Sequence, residues 1–267
     1  MSASAYWSAL AARSCRTIAE NVCGAGASRD ASGSPHYTSD MEASAIAPAK
    51  PAASVVIVRD GAQGLEILLV QRNEKIAFHG GAWVFPGGRV DAADRIHDEA
   101  DELEVAREAA AREAQEEAGV SLSPSRMHFF SHWTTPVDLP KRFATWFFAA
   151  PLEQDAPVAI DNSEIVAHRW ATPGDALALR QRGEMVLPAP TFVTLLRFQA
   201  WRDTAALFGH LGSAPVQHFV PRLVPIEGGR CALYQEDAGY PTHDLHAPGA
   251  RHRLLMVDPD WHYQREF

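Results

Sequence analysis

The pattern of apolar and polar positions first becomes regular at residue 54, where two β-branched, apolar runs flank a short polar turn. The runs are SVVIVR at 54–59 and LEILLVQ at 65–71, and DGAQG lies between them. Two such runs around a glycine-containing turn are typical of a β-hairpin. A pair of strands is therefore predicted at the start of the folded part of the chain.

The residues after this hairpin predict a mixed order of helices and strands. An alanine-rich stretch that ends near Gly119 favours a helix with glycine just past its C-terminal end. Thr172 followed by Pro173 predicts the start of another helix, and a further helix is expected from Thr191 to Phe208. The predicted strands are 126–134, 141–149 and 164–170, with short proline-broken strands near the C-terminus.

Residues 1–50 differ from the rest of the chain in composition. They are rich in Ala, Ser and Gly and lack a sustained apolar period, so they bury too little apolar surface to offset the entropy of ordering. We expect a disordered tail here. Met41 is an alternative start of translation, since it lies shortly before the first predicted strand.

Charge and composition narrow the possible partners. A formal net charge of -9 and the absence of a Lys/Arg cluster argue against nucleic acid, and no apolar run reaches the ~20 residues of a membrane-spanning helix. The cysteines are odd in number and show no CxxC spacing, which supports neither disulfides nor zinc. A cytoplasmic monomer or homodimer without a membrane partner is expected.

Three glutamates lie on one face of the predicted helix before Gly119. Glu113, Glu116 and Glu117 are spaced i, i+3 and i+4, so their side chains are neighbours on the helix surface. Like charges at this distance repel each other unless a cation neutralises them, and hard divalent cations prefer oxygen ligands. A glutamate-rich helix face is more often simply solvated, so a second feature is needed to favour a metal site.

The segment FPGGRVD at 85–91 supplies that second feature, because its paired glycines let a main-chain turn approach the helix and offer a carbonyl oxygen to a metal. Together with REAQEEAGV at 112–120 it resembles the Nudix box. The resemblance implies an α+β fold, the Nudix α/β/α sandwich with a mixed central sheet. Residues 51–180 would form the Nudix hydrolase domain, and 181–267 a C-terminal α/β extension packed on it.

The box is interrupted by an insertion. Counting back from Arg112 by the family spacing places the box acid at Glu104, whereas counting forward from Gly88 gives Asp94. We interpret the residues between Gly88 and Glu104 as an inserted acidic loop or helix extension that is exposed to solvent. The acid that pairs with Arg112 stays open between Glu104 and Glu108, which lies one helical turn away.

Residues 68–88 are similar to the coenzyme A signature of Nudix enzymes in spacing, although Val70, Asn73 and Ala77 depart from it. The interrupted box and the segment PAPTFVTL at 188–195 also look like the peroxisomal-type coenzyme A diphosphatases and their bacterial relatives. The resemblance implies metal-dependent hydrolysis of a pyrophosphate bond in a nucleotide-linked small molecule. Coenzyme A or an acyl-CoA, split into 3′,5′-ADP and a phosphopantetheine, is the first expectation.

The resemblance also assigns roles to individual residues. The expected ligands of Mg²⁺ or Mn²⁺ are the Gly88 carbonyl and the carboxylates of Glu113, Glu116 and Glu117. The residues expected to act in catalysis are Glu113, Glu116, Arg112, which would orient the glutamates, and Glu164, an outside candidate for the general base. The candidates for binding the substrate are Arg72, Lys75, His79 and Arg142. An ordinary surface role is the alternative for Glu164 and for each substrate candidate.

Three rival functions keep the same fold. An enzyme acting on ADP-ribose, NADH or another nucleotide would differ only in residues outside the box. A sensor that binds without cleaving would be favoured by loss of box glutamates, and none is lost. An isomerase would need a cysteine near the site, whereas Cys231 lies far along the chain.

Overall fold

Continuous apolar runs in the first two strands build the centre of the sheet. β1 (Lys50–Gly61) and β2 (Gly64–Arg72) form the predicted hairpin, with Val58 opposite Ile67 and Gly61 opposite Gly64. Residues 55–58 and 67–70 are fully buried without alternation. Such burial is typical of strands covered on both faces, so the hairpin must lie between two layers.

The computed structural model describes residues 46–76, 78–153 and 157–267. Almost all of the predicted tail at 1–50 lies outside these residues, as do Met41 and Ala77. No helix in the described part of the chain has the length and apolar character needed to cross a membrane.

The main sheet is mixed, as the family resemblance implied. Its further strands are β3 (Trp83–Val84), β4 (Gly87–Arg89), β5 (His128–Thr134), β6 (Phe143–Pro151), β7 (Ile165–Ala171) and β8 (Gln217–Phe219). The pairs β1–β6 and β5–β8 are parallel, and the other pairs are antiparallel. The strands predicted at 126–134, 141–149 and 164–170 are confirmed as β5, β6 and β7.

The short strands β3 and β4 fill a gap between β1 and β2. One edge of β1 pairs with β6 from Lys50 to Val58, so β2 and β4 share the other edge. In the same way, β1 and β3 share one edge of β2, because the other edge pairs with β7. The segment 85–88 that joins β3 to β4 is thereby held at the middle of the sheet.

One face of the sheet is covered by α1 (Glu102–Ala118). Five buried alanines line the contact face of this helix, and their small side chains let the helix lie close to the strands: Ala106, Ala109, Ala110, Ala114 and Ala118. The helix ends at Gly119, which has φ 67° and receives no Cβ penalty in this left-handed conformation. The predicted glycine end of the helix is confirmed.

The opposite face is covered by three helices and a second sheet. The helices are α2 (Pro173–Gln181), α3 (Ala189–Phe198) and α4 (Thr204–Leu211). The second sheet is antiparallel and consists of β9 (Arg222–Ile226), β10 (Gly229–Leu233), β11 (Arg251–Val257) and β12 (His262–Glu266). One hydrophobic core joins β1 and β2 to these helices and to the second sheet. The proposed boundary at residue 180 stays a prediction.

The single helix predicted from Thr191 to Phe208 is wrong, because the structure has two helices there. The first ends at Phe198, and the second begins after Asp203, whose side chain accepts a hydrogen bond from the Ala206 amide at 2.8 Å. Between them, the Arg202 carbonyl accepts a hydrogen bond from the Leu65 amide in β2. This contact with a distant strand and the cap on the second helix stabilise the break.

A buried ion pair in the second sheet gives a test of this part of the fold. Asp237 receives two hydrogen bonds of 2.7 Å from the Arg253 guanidinium and others from the amides of Gly239 and His252. Burial alone would raise the pKa of Asp237, but these hydrogen bonds outweigh it and hold that pKa below its usual value. The stabilisation is therefore complete above the unfolded pKa of about 3.9 and is lost as the pH falls through the lower, folded pKa.

We expect Asp237→Asn to lower the free energy of unfolding by about 3 kcal/mol at pH 7, because it leaves a buried guanidinium without a counter-ion. The difference from the unsubstituted protein should persist down to about pH 4 and shrink below it. Urea unfolding followed by circular dichroism at several pH values measures the loss of stability at pH 7 and its dependence on pH. Asp98→Asn, at an exposed aspartate, is the matched control, and an equal loss in the two variants would contradict the prediction.

Candidate active site

A tight bend after β3 lies directly against β1. The Pro86 carbonyl accepts a hydrogen bond from the Val55 amide at 2.9 Å and another from the Ser54 hydroxyl at 3.1 Å. A Cβ at Gly87 would come within 2.5 Å of the Ala53 carbonyl oxygen and 2.7 Å of the Ser54 Cα. Only glycine fits at position 87, because both obstacles are main-chain atoms of the central strand.

The helix α1 brings its glutamates to this bend. The Gly87 amide donates a hydrogen bond of 2.9 Å to Glu117 Oε2, and a Cβ at Gly88 would overlap the Glu113 carboxylate. The Glu117 and Glu113 side chains are largely buried, whereas that of Glu116 is 59% exposed. The sequence interpretation required the helical carboxylates and the glycine bend to meet, and the structure has them in contact.

Burial makes two of these carboxylates hard to ionise. It raises the pKa of Glu117 to about 8, with a further contribution from the charge of Glu113 and with opposition from the Gly87 amide and Arg72. Burial also raises the pKa of Glu113, although the neighbouring Arg112 acts against it. Partly desolvated carboxylates in contact gain most when a cation arrives, so the charge distribution favours cation binding here.

Arg112 ties the glutamates to the inserted segment. Its guanidinium makes a bidentate contact with Asp94, at 2.8 Å from Nε and 3.2 Å from Nη2. Nη1 donates to Glu113 at 2.9 Å and to Glu116 at 3.0 Å, and Nη2 also donates to the Arg89 carbonyl. All five N–H groups of the arginine therefore have a partner.

The predicted partners of Arg112 are wrong, because the acid is Asp94 and neither Glu104 nor Glu108. Glu104 instead accepts a hydrogen bond from the Asp101 amide at the start of α1 and returns one to the Asp101 side chain. The capping box formed by these two residues begins the helix. The forward count from Gly88 had reached Asp94, so the spacing held a signal for this pairing that the sequence interpretation did not use.

The inserted segment is also less exposed than predicted at this one position. Asp94 is only 4% exposed and lies in the 3-10 helix Ala92–Asp94, where its carboxylate accepts a hydrogen bond from the Asp91 amide at 2.7 Å. Arg95 then closes the segment onto α1 through Glu102 and the Ala100 carbonyl. The carboxylate can be buried because a guanidinium and an amide satisfy it.

Arg72 and Glu164 complete the ring of charges around the bend. The Arg72 guanidinium lies 3.9 Å from Glu117 and 3.8 Å from Glu164. Glu164 is far from the box in sequence, but β7 pairs with β2 and places Ile165 opposite Arg72. The Asn73 amide also donates to the Glu164 carbonyl at 2.8 Å. Strand pairing thus brings Glu164 to the site.

The other substrate candidates are placed differently. Loss of hydration lowers the pKa of His79, and the Arg72 cation acts in the same direction. Lys75 is exposed in the same loop. Arg142 instead donates to the carbonyls of Thr135 and Ala47, so it joins the start of β6 to the end of β5 and to the segment before β1. Its role in substrate binding stays a prediction, as do those of the other candidates.

The loop between β2 and β3 also meets a cation that the sequence interpretation did not select. Phe78 packs against Phe143 with ring centroids 5.2 Å apart, and the Lys141 ammonium lies 5.8 Å from the Phe78 ring and 5.7 Å from the Phe143 ring. Lys141 had no distinguishing local pattern in the sequence. Only the packing of this loop on the start of β6 identifies it.

The carboxylates of Glu113, Glu116 and Glu117 do not point to one common position in this structure. Among residues 46–76, 78–153 and 157–267, no three His, Cys, Asp or Glu side chains are arranged to hold a metal ion. Arg112 draws Glu113 and Glu116 to itself, and the Gly87 amide holds Glu117. The oxygen donors nevertheless suit a hard divalent cation, and binding it would require these side chains to turn from their present partners.

Comparison with known proteins gives independent information on the same residues. A family model described as the NUDIX domain matches residues 48–192. The human acyl-coenzyme A diphosphatase NUDT19 is 34% identical over 73 residues, which is 27% of this chain and 20% of the human protein. The phosphatase NudJ of Escherichia coli strain K12 is 40% identical over 81 residues, which is 30% of this chain and 50% of NudJ. The chain therefore spans half or less of each of these relatives.

A solved structure agrees at the level of the fold. The crystal structure of a NUDIX hydrolase from Alicyclobacillus acidocaldarius has a TM-score of 0.56 and 22% sequence identity, and the match covers 64% of this chain and 99% of that chain. At this identity the likeness shows the shared fold and nothing finer.

The Arg112–Asp94 contact can be tested directly. We expect Asp94→Ala to lower the free energy of unfolding by about 2 kcal/mol, because it leaves the charge-assisted hydrogen bonds of a partly buried guanidinium unmade. Urea unfolding measures the change. Glu108→Ala, at a residue of the same helix with no side-chain partner in the described part of the chain, should change stability by no more than about 0.5 kcal/mol. A larger loss in the Glu108 variant than in the Asp94 variant would contradict the pairing of Arg112 with Asp94.

Proposed function

The chain belongs to the Nudix family, whose model matches more than half of it, and on that premise we propose that it is a pyrophosphohydrolase of nucleotide-linked small molecules that uses Mg²⁺ or Mn²⁺. The observation that carries the proposal is the contact of Glu113 and Glu117 with the bend at Gly87 and Gly88. Carboxylates buried at a main-chain bend have little structural use for their charge, since burial opposes ionisation. A cation gives that charge a function.

The reaction requires charge neutralisation and an activated water. Water adds to one phosphorus as the anhydride P–O bond breaks, and two phosphate monoesters are released. A bound divalent cation would supply Lewis-acid activation and would neutralise the pyrophosphate oxygens. The proposed ligands are the Gly88 carbonyl and the carboxylates of Glu113, Glu116 and Glu117.

Arg112 acts as a positioning residue in this proposal. It is anchored to Asp94 through two hydrogen bonds and touches Glu113 and Glu116 with its remaining Nη1 donors. Because Asp94 is buried, it would hold the guanidinium in place while Glu113 and Glu116 bind a cation. Such preorganisation reduces the entropy lost when the ligands converge.

Glu164 is the proposed general base. Its side chain is 65% exposed and lies beside Arg72 on the rim of the glutamate cluster. An exposed carboxylate is reachable by water and can accept a proton from it. Arg72 would then also be close enough to the substrate phosphates to bind them.

Coenzyme A or an acyl-CoA is the proposed substrate. Support comes from the partial similarity to the human acyl-coenzyme A diphosphatase and from the loop between β2 and β3, which carries the similar signature. Phe78, His79 and Lys141 together offer aromatic faces and a cation at the loop that follows Arg72, a combination that suits a phosphorylated nucleoside. Lys75 and Arg142 remain further candidates for binding it.

Two rival readings have less support. The sensor alternative would be favoured by loss of box glutamates, but all of them are present and contact the bend or Arg112. The isomerase alternative needs a reactive cysteine, but Cys231 is buried in β10 and burial raises its pKa to about 11. Neither observation favours a second function.

A reducing compartment and a monomeric or homodimeric state are also part of the proposed function.

Incubation with a panel of substrates tests the assignment. In the presence of Mg²⁺, coenzyme A should give 3′,5′-ADP and phosphopantetheine faster than ADP-ribose, NADH or nucleoside triphosphates are cleaved, with products separated by ion exchange. Chelation with EDTA should stop turnover, and added Mg²⁺ or Mn²⁺ should restore it. Cleavage of ADP-ribose or NADH alone would replace the substrate, and no cleavage of any compound would favour the sensor.

The role of the helical carboxylates is tested by Glu116→Gln. We expect kcat to fall at least about 100-fold, because the amide is a poor ligand for a hard cation. The fold should be unchanged, since the side chain is exposed, and circular dichroism checks this. Glu108→Gln on the same helix should retain activity within about twofold. Full activity in the Glu116 variant would refute its role as a ligand.

A further inference from the structure

A cleft of about 280 Å³ lies on the face of the main sheet opposite to α1. It is lined by the end of α3, by α4, and by single residues of β8 and β12. We call it the arginine cleft; its polar and aromatic lining residues are Arg197, Trp201, His210, Gln217 and Arg265. The glutamates of α1 belong to the other face of the sheet, so the two sites are separate.

Within residues 46–76, 78–153 and 157–267, neither arginine of this cleft forms an ion pair with a carboxylate. The Arg265 guanidinium acts on Arg197 as a like charge. Burial lowers the pKa of Arg197 to about 10, which still leaves it protonated at neutral pH. Arg265 lies over the Phe267 ring at 5.2 Å. Two neighbouring cations without a counter-ion in the described residues form a site of strong attraction for an anion.

Other groups of the cleft are suited to the remainder of a ligand. Trp201 and His210 stack face to face, with ring centroids 4.5 Å apart and planes 24° apart, so a ligand ring would meet an outer face or the edge of this stack. Gln217 Oε1 is buried and accepts no hydrogen bond from any described residue. A buried acceptor without a donor is costly, and a ligand N–H or O–H would satisfy it.

The position of Arg265 is held by a buried hydrogen-bond chain. The Tyr263 hydroxyl lies 2.8 Å from His252 Nε2, and His252 Nδ1 lies 2.6 Å from Glu236. His252 is almost fully buried, so β12 is tied to β11 two residues before the arginine. The cation is therefore carried by an ordered strand.

We propose that the arginine cleft binds a small molecule that combines a phosphate group with a planar ring, such as a mononucleotide. Arg197 and Arg265 would bind the phosphate, because guanidinium groups match its geometry and charge. The stacked Trp201 and His210 would contact the ring, and Gln217 would accept a hydrogen bond from it. The volume lies at the lower end of small-molecule sites, which limits the ligand to about this size.

Calorimetric titration of the full chain with AMP, in the presence of EDTA, tests the proposal. AMP should bind at one site, and both adenosine and inorganic phosphate should bind at least about tenfold more weakly, because each has only part of the required groups. Binding of inorganic phosphate as tight as that of AMP would overturn the assignment of the aromatic stack. No detectable binding of AMP would overturn the site itself.

Substitutions then locate the bound AMP. Arg265→Met and Arg197→Met should each weaken AMP binding at least about tenfold. Arg265 is exposed, so the Arg265 variant should fold and still tests the proposal if the Arg197 variant does not fold. Arg230→Met, at an exposed arginine of the second sheet, should leave the affinity unchanged. Glu116→Gln should also leave it unchanged. Loss of AMP binding in the Glu116 variant, or unchanged binding in both cleft variants, would contradict this location.

Discussion

The close approach of α1 to the glycine bend is the constraint on which the site depends. The bend cannot move away, because Pro86 is hydrogen-bonded to the central strand β1 and position 87 admits only glycine. The helix cannot move away either, because its alanine face is packed on the same sheet. Glu113 and Glu117 are consequently pressed against main chain, where burial raises the pKa of both.

Arg112 balances this crowding of acids. Its partners come from three parts of the chain: the helix itself, the Arg89 carbonyl after the bend, and Asp94 in the inserted segment. The insertion therefore does not interrupt the site physically. Its residue Asp94 binds the guanidinium, and Arg95 joins the segment to the start of the helix.

The sheet separates two regions of opposite charge. On the α1 face, carboxylates are concentrated around a bend and would attract cations. On the other face, Arg197 and Arg265 line one cleft and form no ion pair with a carboxylate in the described part of the chain. The buried strands of the main sheet lie between the two regions, and residues 55–58 of β1 are fully enclosed. Each region can therefore be altered by mutation with little effect on the other.

The sequence by itself determined the hairpin, the end of α1 at Gly119, and the helical spacing of Glu113, Glu116 and Glu117, because these follow from local periodicity and from the freedom of glycine. Only the tertiary structure decided that Asp94 pairs with Arg112 and that the helix predicted at 191–208 is broken. It also decided that Glu164 lies beside Arg72 and that Lys141 lies over the ring of Phe78. Each of these depends on contacts between segments far apart in the chain, and such contacts leave no periodic trace in the sequence of either segment.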